Sequence, residues 1–235
     1  MRIKWRSPCF ILAALVLLLL PSAALAADVD VVAEGAYNAS YLDVYIYATI
    51  NADNLCSYGV KLTYDTGKLN TPTPTKNDAT WYFGTTADKK AYMNPDTSTA
   101  GQIIFIGGKL DTGAPTAGVT GTRVLLGSVR FVRAEGSLGL GATAENYFGL
   151  TAALGKAAPY DNFVTTAGAV KDGAGVSFTA KVRERGDANG DGAINSTDYI
   201  AIRNLLSSPS PPPYADCNGD GAVNSTDYIC VRNKL

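Results

Sequence analysis

An internal repeat constrains this chain more than any other feature. Asp187 to Leu206 reads DANGDGAINSTDYIAIRNLL and Asp216 to Leu235 reads DCNGDGAVNSTDYICVRNKL, offset by 29 positions with fifteen of twenty residues identical. Each copy opens with a twelve-residue loop that places oxygen-bearing side chains at positions 1, 3, 5, 9 and 12 and Gly at position 6. A hard cation takes about six to eight oxygen ligands, and a short loop can wrap around it only with alternate residues turned inward and a sharp turn that Gly takes easily. Copy one offers Asp187, Asn189, Asp191, the Ala193 carbonyl, Asn195 through a water, and Asp198. Copy two offers Asp216, Asn218, Asp220, the Ala222 carbonyl, Asn224 and Asp227. Two Ca2+ ions are therefore expected. A metal-free Asp/Asn/Gly-rich turn explains one copy tolerably, but not two that preserve every ligand position.

After each loop, Tyr199, Ile202 and Leu206, or Tyr228, Val231 and Leu235, recur at helical spacing. Each copy is thus a loop followed by one helix, an EF-hand-like unit without the preceding helix. Asp replaces the usual Glu at position 12, so the shorter side chain must approach the ion more closely to act bidentately. The connector Ser207 to Ala215 (SSPSPPPYA) cannot continue a helix and should run extended. Loop-helix, proline-bearing connector, loop-helix, with NGDG and NSTDY in both copies, resembles a type I dockerin over residues 187–235. The resemblance implies a module that folds on calcium and plugs into a cohesin module of another protein in polysaccharide-degrading assemblies. Carried over by position, it implies partner contacts at Ser196, Thr197, Arg203 and Asn204, and at Ser225, Thr226, Arg232 and Asn233. Ser and Thr at a helix start also readily satisfy its free amides.

At the other end, Arg2, Lys4 and Arg6 precede an apolar run from Phe10 to Leu20, and Ala24-Leu25-Ala26 offers small residues at a cleavage site. Residues 1–26 read as a signal peptide cut after Ala26 and not as a membrane span, because the run is shorter than about 20 residues and Pro21 ends it. Cys9 lies before the run, which argues against a lipid-modified N-terminal cysteine. The mature chain should be secreted, with no membrane span. Cleavage removes three cations and no acids, taking the formal charge from −1 to −4. No basic cluster appears, so a nucleic-acid partner is not expected. The chain has no histidine, which excludes Ser-His-Asp and Cys-His nucleophile systems and histidine-bearing catalytic zinc.

Between these ends, residues 27–182 alternate short Val, Ile, Tyr and Thr runs with Gly, Pro, Asn and Asp, and show no helical period. The clearest strand is Leu42 to Ile50, where Leu42, Val44, Ile46, Ala48 and Ile50 share one face. Further runs are Tyr58 to Tyr64, Thr80 to Phe83, Gln102 to Ile106, Arg123 to Arg133 and Gly175 to Val182. The expected fold class is an all-β sandwich, antiparallel and jelly-roll-like, followed across a short linker at 183–186 by the small all-α calcium module. GVKLTYDTGKL at Gly59 to Leu69, LLGSVRFVR at Leu125 to Arg133 and GVSFTAKV at Gly175 to Val182 resemble cohesin strands, which implies a protein-binding sandwich. Carbohydrate-binding modules share the architecture, and the alternative is polysaccharide binding through Tyr45, Tyr47 and Trp81-Tyr82-Phe83, one of which alternation should bury. A glycosidase needs two facing carboxylates. Glu34, Glu135 and Glu145 form no motif, so no catalytic residues and no enzyme activity are expected.

Three cysteines remain after cleavage. Cys217 and Cys230 replace Ala188 and Ala201 of copy one, and a paired change suggests contact and a disulfide, two independent small residues being the other reading. Cys56 is then the unpaired thiol. Residues 187–235 carry six aspartates against Arg203, Arg232 and Lys234, and so short a module has too small a core to be stable unaided. Circular dichroism of residues 187–235 should show helix appearing when calcium is added, and no such gain in excess chelator.

Overall fold

The computed structural model describes residues 27–112, 115–134, 136, 138, 143–155 and 163–235. The expected signal peptide at 1–26, Cys9 and Glu135 lie outside the described residues. Twelve strands form: β1 Val29–Tyr37, β2 Tyr41–Thr63, β3 Leu69–Lys76, β4 Tyr82–Gly84, β5 Lys89–Ala91, β6 Gln102–Gly108, β7 Leu110–Asp111, β8 Val119–Arg133, β9 Thr151–Leu154, β10 Phe163–Thr165, β11 Val170–Lys171 and β12 Val176–Glu184. The helices are α1 Ala144–Phe148, α2 Ser196–Leu205 and α3 Ser225–Lys234.

β2 organises the sandwich because both of its halves pair. Its first half lies antiparallel between β1 (Val29 opposite Ile50, Tyr37 opposite Leu42) and β8 (Leu42 opposite Phe131, Ala48 opposite Val124), and β3 extends the sheet beyond β8. Its second half pairs with β6 on one edge and with β9 and β10. The runs read separately as Leu42 to Ile50 and Tyr58 to Tyr64 are thus one strand. The turn-like Asn51-Ala52-Asp53-Asn54 between them is absorbed as an irregularity, with the register to β8 slipping between Ile50 and Leu55. β5, β4 and β7 form a small separate sheet.

The alternation in β2 sends Leu42, Val44, Ile46 and Ala48 fully into the core, where they meet Val60, Leu62, Ile103, Phe105, Phe131, Phe148 and Phe163 in one cluster. Pairing is largely antiparallel, with one exception that closes the fold: β12 runs parallel to β1 in unbroken register from Val29 opposite Val176 to Tyr37 opposite Glu184. Past the strand the ladder gains one more bond, from the Arg185 amide to the Tyr37 carbonyl at 2.8 Å. The chain then enters the repeat module with no slack.

The outer face of this sheet is charged. Asp43 is buried there between Arg130 (Nε to Oδ1 2.6 Å) and Arg185 (Nη2 to Oδ2 2.6 Å). Burial pushes the Asp43 carboxyl up, but the hydrogen bonds and charges of the two arginines together outweigh it and hold the group below the usual carboxylate range. Glu145 is held low in the same sense, burial being outweighed by the Val182 amide, its own amide, Thr143 and Arg183. A depressed acid contributes stability above its unfolded pKa and loses it as pH falls through the folded value. Acidification below about pH 4 should therefore cost stability through these two groups. In thermal unfolding, D43A should lose about 3 kcal/mol at neutral pH and show a shallower acid loss than the parent chain.

Candidate metal loops and docking faces

The two loops fold by the same local rule. Asp187 and Asp216, at position 1, turn their carboxylates inward and collect the loop's amide N–H groups. Asp187 accepts from Asp191 (3.0 Å) and Gly192 (2.9 Å); Asp216 accepts from Gly219 (2.8 Å), Asp220 (3.2 Å) and Gly221 (3.0 Å). Position 12 closes each loop from the far side: Asp198 accepts from Asn189 N (3.1 Å) and Asn195 N (2.8 Å), and Asp227 accepts from Asn218 N and Asn224 N at the same distances. The turn at position 6 needs left-handed backbone, and Gly192 and Gly221 supply it with φ of 96° and 92°.

Crowding these acids has an electrostatic consequence. Burial, then the neighbouring Asp198 and Asp191, push the Asp187 carboxyl above the usual range, against the Gly192 amide. Burial likewise raises Asp227, with Asp216 and Asp220 adding to it against the amides of Asn224 and Asn218. Each loop thus concentrates negative charge on hard oxygen donors, which is what a divalent cation relieves. Among the described residues, no three carboxylate or sulfur side chains are already gathered as a metal cluster. The carboxylates hold backbone amides instead. The donor set of carboxylates, Asn side chains and one carbonyl per loop fits calcium by its chemistry.

The helix starts differ from the expectation for Ser and Thr. Asn195 and Asn224 are the N-caps, each accepting from the amide of Thr197 or Thr226 at 2.8 Å, and Asp198 and Asp227 complete reciprocal capping boxes. Asn-x-x-Asp was present in the sequence as the signal. The Thr197 and Thr226 hydroxyls are used inside the loops, accepting from Asn189 (2.8 Å) and Asn218 (2.7 Å).

Ile202 and Val231 are fully buried with Ala188, Ala215 and Cys217, and Tyr199 and Tyr228 pack against them. Leu206 and Leu235, at the last helical spacing, are exposed because each helix ends there. Tyr199 and Tyr228 occupy equivalent repeat positions and stack on each other with centroids 3.6 Å apart. Self-contact between equivalent residues is what an approximate two-fold relation between the copies requires. Ser196, Thr197, Arg203 and Asn204, and Ser225, Thr226, Arg232 and Asn233, are all exposed. Ile200 and Ile229 are exposed beside them at 56% and 46%. Positions 196, 200, 203 and 204 share one helix face, and an apolar residue at position 14 of both copies, off the buried stripe, was the overlooked signal.

Cys217 and Cys230 form a disulfide with Cα atoms 5.9 Å apart, and Cys56 is a free thiol. The aromatic candidates make no exposed row. Trp81 is buried, its Nε1 donating to the Leu125 carbonyl at 3.2 Å, and Tyr82 is buried too. Phe83 sits edge-on to Tyr92. Tyr45 and Tyr47 stack on each other and, with Pro209 to Pro213 of the connector, line a cavity of about 220 Å3. Glu34 and Glu145 are each engaged by an arginine, Arg123 and Arg183.

A β-sandwich running directly into a duplicated loop-helix unit defines a two-module protein. Its residues 185–235 match the family model of the dockerin type I domain. Among solved structures, the chain is similar to the CaDoc0917–CaCohA2 complex (15% identity, 66% of this chain and 97% of that one, TM-score 0.43). It is also similar to a type III cohesin module from the cell-surface anchoring scaffoldin ScaE of Ruminococcus flavefaciens (14% identity, 70% and 91%, TM-score 0.40) and to a type I cohesin-dockerin complex from Clostridium thermocellum (13% identity, 66% and 92%, TM-score 0.39). No curated protein sequence matches the chain. Among the described residues no helix is long and apolar enough to cross a membrane.

The disulfide closes a short loop, for which chain-entropy loss gives about 3 kcal/mol. Replacing both Cys217 and Cys230 by Ala, the residues of copy one, should destabilise the helical module by about that amount in denaturant unfolding followed by far-ultraviolet circular dichroism.

Proposed function

We propose that this is a secreted, non-catalytic protein that docks to a cohesin module of another protein through residues 187–235, in a polysaccharide-degrading or cell-surface assembly. The match of residues 185–235 to the dockerin type I domain carries the reading. Exposure of the polar side chains in both copies supports it. Residues 1–26 act as the signal peptide, 27–182 as the sandwich domain, and 183–186 as the junction to the dockerin. One Ca2+ is held by Asp187, Asn189, Asp191, the Ala193 carbonyl, Asn195 and Asp198, and a second by Asp216, Asn218, Asp220, the Ala222 carbonyl, Asn224 and Asp227. Calcium supplies the central positive charge. The chain's own residues fix the rest: the Asn caps start the helices, and Ile202 and Val231 pack them together.

Docking then uses either copy, because Ser196, Thr197, Arg203 and Asn204 are duplicated letter for letter by Ser225, Thr226, Arg232 and Asn233. A half-turn about the Tyr199–Tyr228 contact presents nearly the same surface to one cohesin. The alternative, polysaccharide binding through aromatics, has less support, since Trp81 and Tyr82 are buried and Tyr45 and Tyr47 lie beside the connector.

Calorimetry with a cohesin found by calcium-dependent pull-down tests this. Aspartate at Ser196 and Thr197, or at Ser225 and Thr226, should weaken binding by no more than a few fold, since the other face substitutes. All four replacements together should remove most of it, because unpaired charge in an interface is costly. If one pair alone abolishes binding, the two-faced reading is wrong.

A further inference from the structure

Two arginines at the end of β12 each join a carboxylate of the sandwich to the first aspartate region of a different loop. Arg183 bonds Glu145 (Nη1 to Oε1 2.8 Å) and reaches loop one at the Gly190 carbonyl (Nε to O 3.0 Å), while its contact to Asp187 is a looser 3.7 Å. Arg185 bonds Asp43 (2.6 Å) and reaches loop two at both the Asp216 carbonyl (2.7 Å) and the Asp216 carboxylate (Nη1 to Oδ2 3.0 Å). Only the second arginine takes hold of a position-1 carboxylate. It does so out of water, with Arg185 4% exposed and Asp216 6%.

Counting acceptor sites shows how unequal this leaves the loops. A carboxylate has about four lone-pair sites. Asp216 uses Oδ1 for the Gly219 and Asp220 amides and Oδ2 for the Gly221 amide and Arg185. All four are engaged. Asp187 accepts only from the Asp191 and Gly192 amides, which leaves room on its oxygens. The repeat sequence does not explain the difference, since the loop ligands are identical. The sandwich imposes it.

We propose that Arg185 makes the two loops unequal calcium sites, competing with the ion for Asp216, so that filling loop two and holding the module against the sandwich oppose each other. The proposal rests on the calcium reading above. A guanidinium and a divalent cation sharing one buried carboxylate repel strongly, because the interior screens them poorly. Asp43 sets how hard Arg185 leans on Asp216, since it draws the same guanidinium toward the sandwich while also holding Arg130. Linkage is reciprocal: whatever calcium costs the module contact, the contact costs calcium affinity.

The two ends of this bridge make predictions of opposite sign. R185Q removes the competitor and should tighten loop two by about fivefold or more. D43N removes the counter-pull and should weaken loop two, leaving Arg185 fully on Asp216. Loop one should stay within about twofold of the parent in both, as expected for a site outside the coupled pair. The full-length mature chain, titrated in chelator-buffered calcium, reports the loops separately through the Gly192 and Gly221 amide resonances, whose N–H groups bond Asp187 and Asp216. If R185Q leaves loop two unchanged, or both variants weaken it, Arg185 is only a structural tie and the proposal is wrong. If neither amide responds to calcium in the parent, the calcium reading itself has failed, and the coupling falls with it.

Discussion

The parallel pairing of β12 with β1 is the contact on which the rest of this molecule depends. It is the last strand added to the sheet, and its unbroken register with β1 fixes where the chain leaves the sandwich. Because the ladder continues through the Arg185 amide, the repeat module is positioned by sheet hydrogen bonds and not by a flexible tether. Gly186 then makes the turn into the module with φ of 104°, and a side chain there would meet Cys217 Sγ at 3.3 Å and Val231 at 3.4 Å. Gly186 N–H donates to the Tyr214 carbonyl at 2.7 Å, which ties the proline-rich connector to the same point. Sandwich, junction and connector meet within a few residues.

Within the module the governing constraint is charge. Three aspartates per loop are drawn together by amide hydrogen bonds that compensate them only in part, and the upward shifts of Asp187 and Asp227 record what remains. Two loops of identical ligand sequence nevertheless differ in surroundings. One leans on Arg183 through a backbone carbonyl, the other on Arg185 through a carboxylate. Duplication supplied the symmetry, and attachment to an asymmetric neighbour breaks it.

Much of this was legible in the residues. Periodicity located the inward face of the first half of β2, both module helices and the loop donors, because each reports a local rule of backbone geometry. What stayed hidden depended on distant partners. Asn51 to Asn54 looks like a turn, yet neighbouring strands on both sides keep it extended. Tyr45 and Tyr47 look like a sugar platform until the connector is placed beside them. Nothing local marks Arg183 or Arg185, ordinary basic residues in a linker by composition, as the pair joining Glu145 and Asp43 to the two loops. The Asn caps were a lesser omission, since Asn-x-x-Asp could have been read directly.

The parallel edge also decides how the molecule bears mechanical load. Suppose a docked module is held fast while the segment preceding Val29 is pulled. β1 is then drawn from its beginning and β12 from its end, and because the two strands run the same way these points lie at opposite ends of the shared ladder. The strands are loaded in shear, so the evenly spaced hydrogen bonds of a parallel pair resist together instead of opening one after another as they would if unzipped. Failure under tension is set by the rate of forced unfolding, not by equilibrium stability. The strand pair that sets the junction therefore also gives the chain a stiff axis along the line between its start and its docking end.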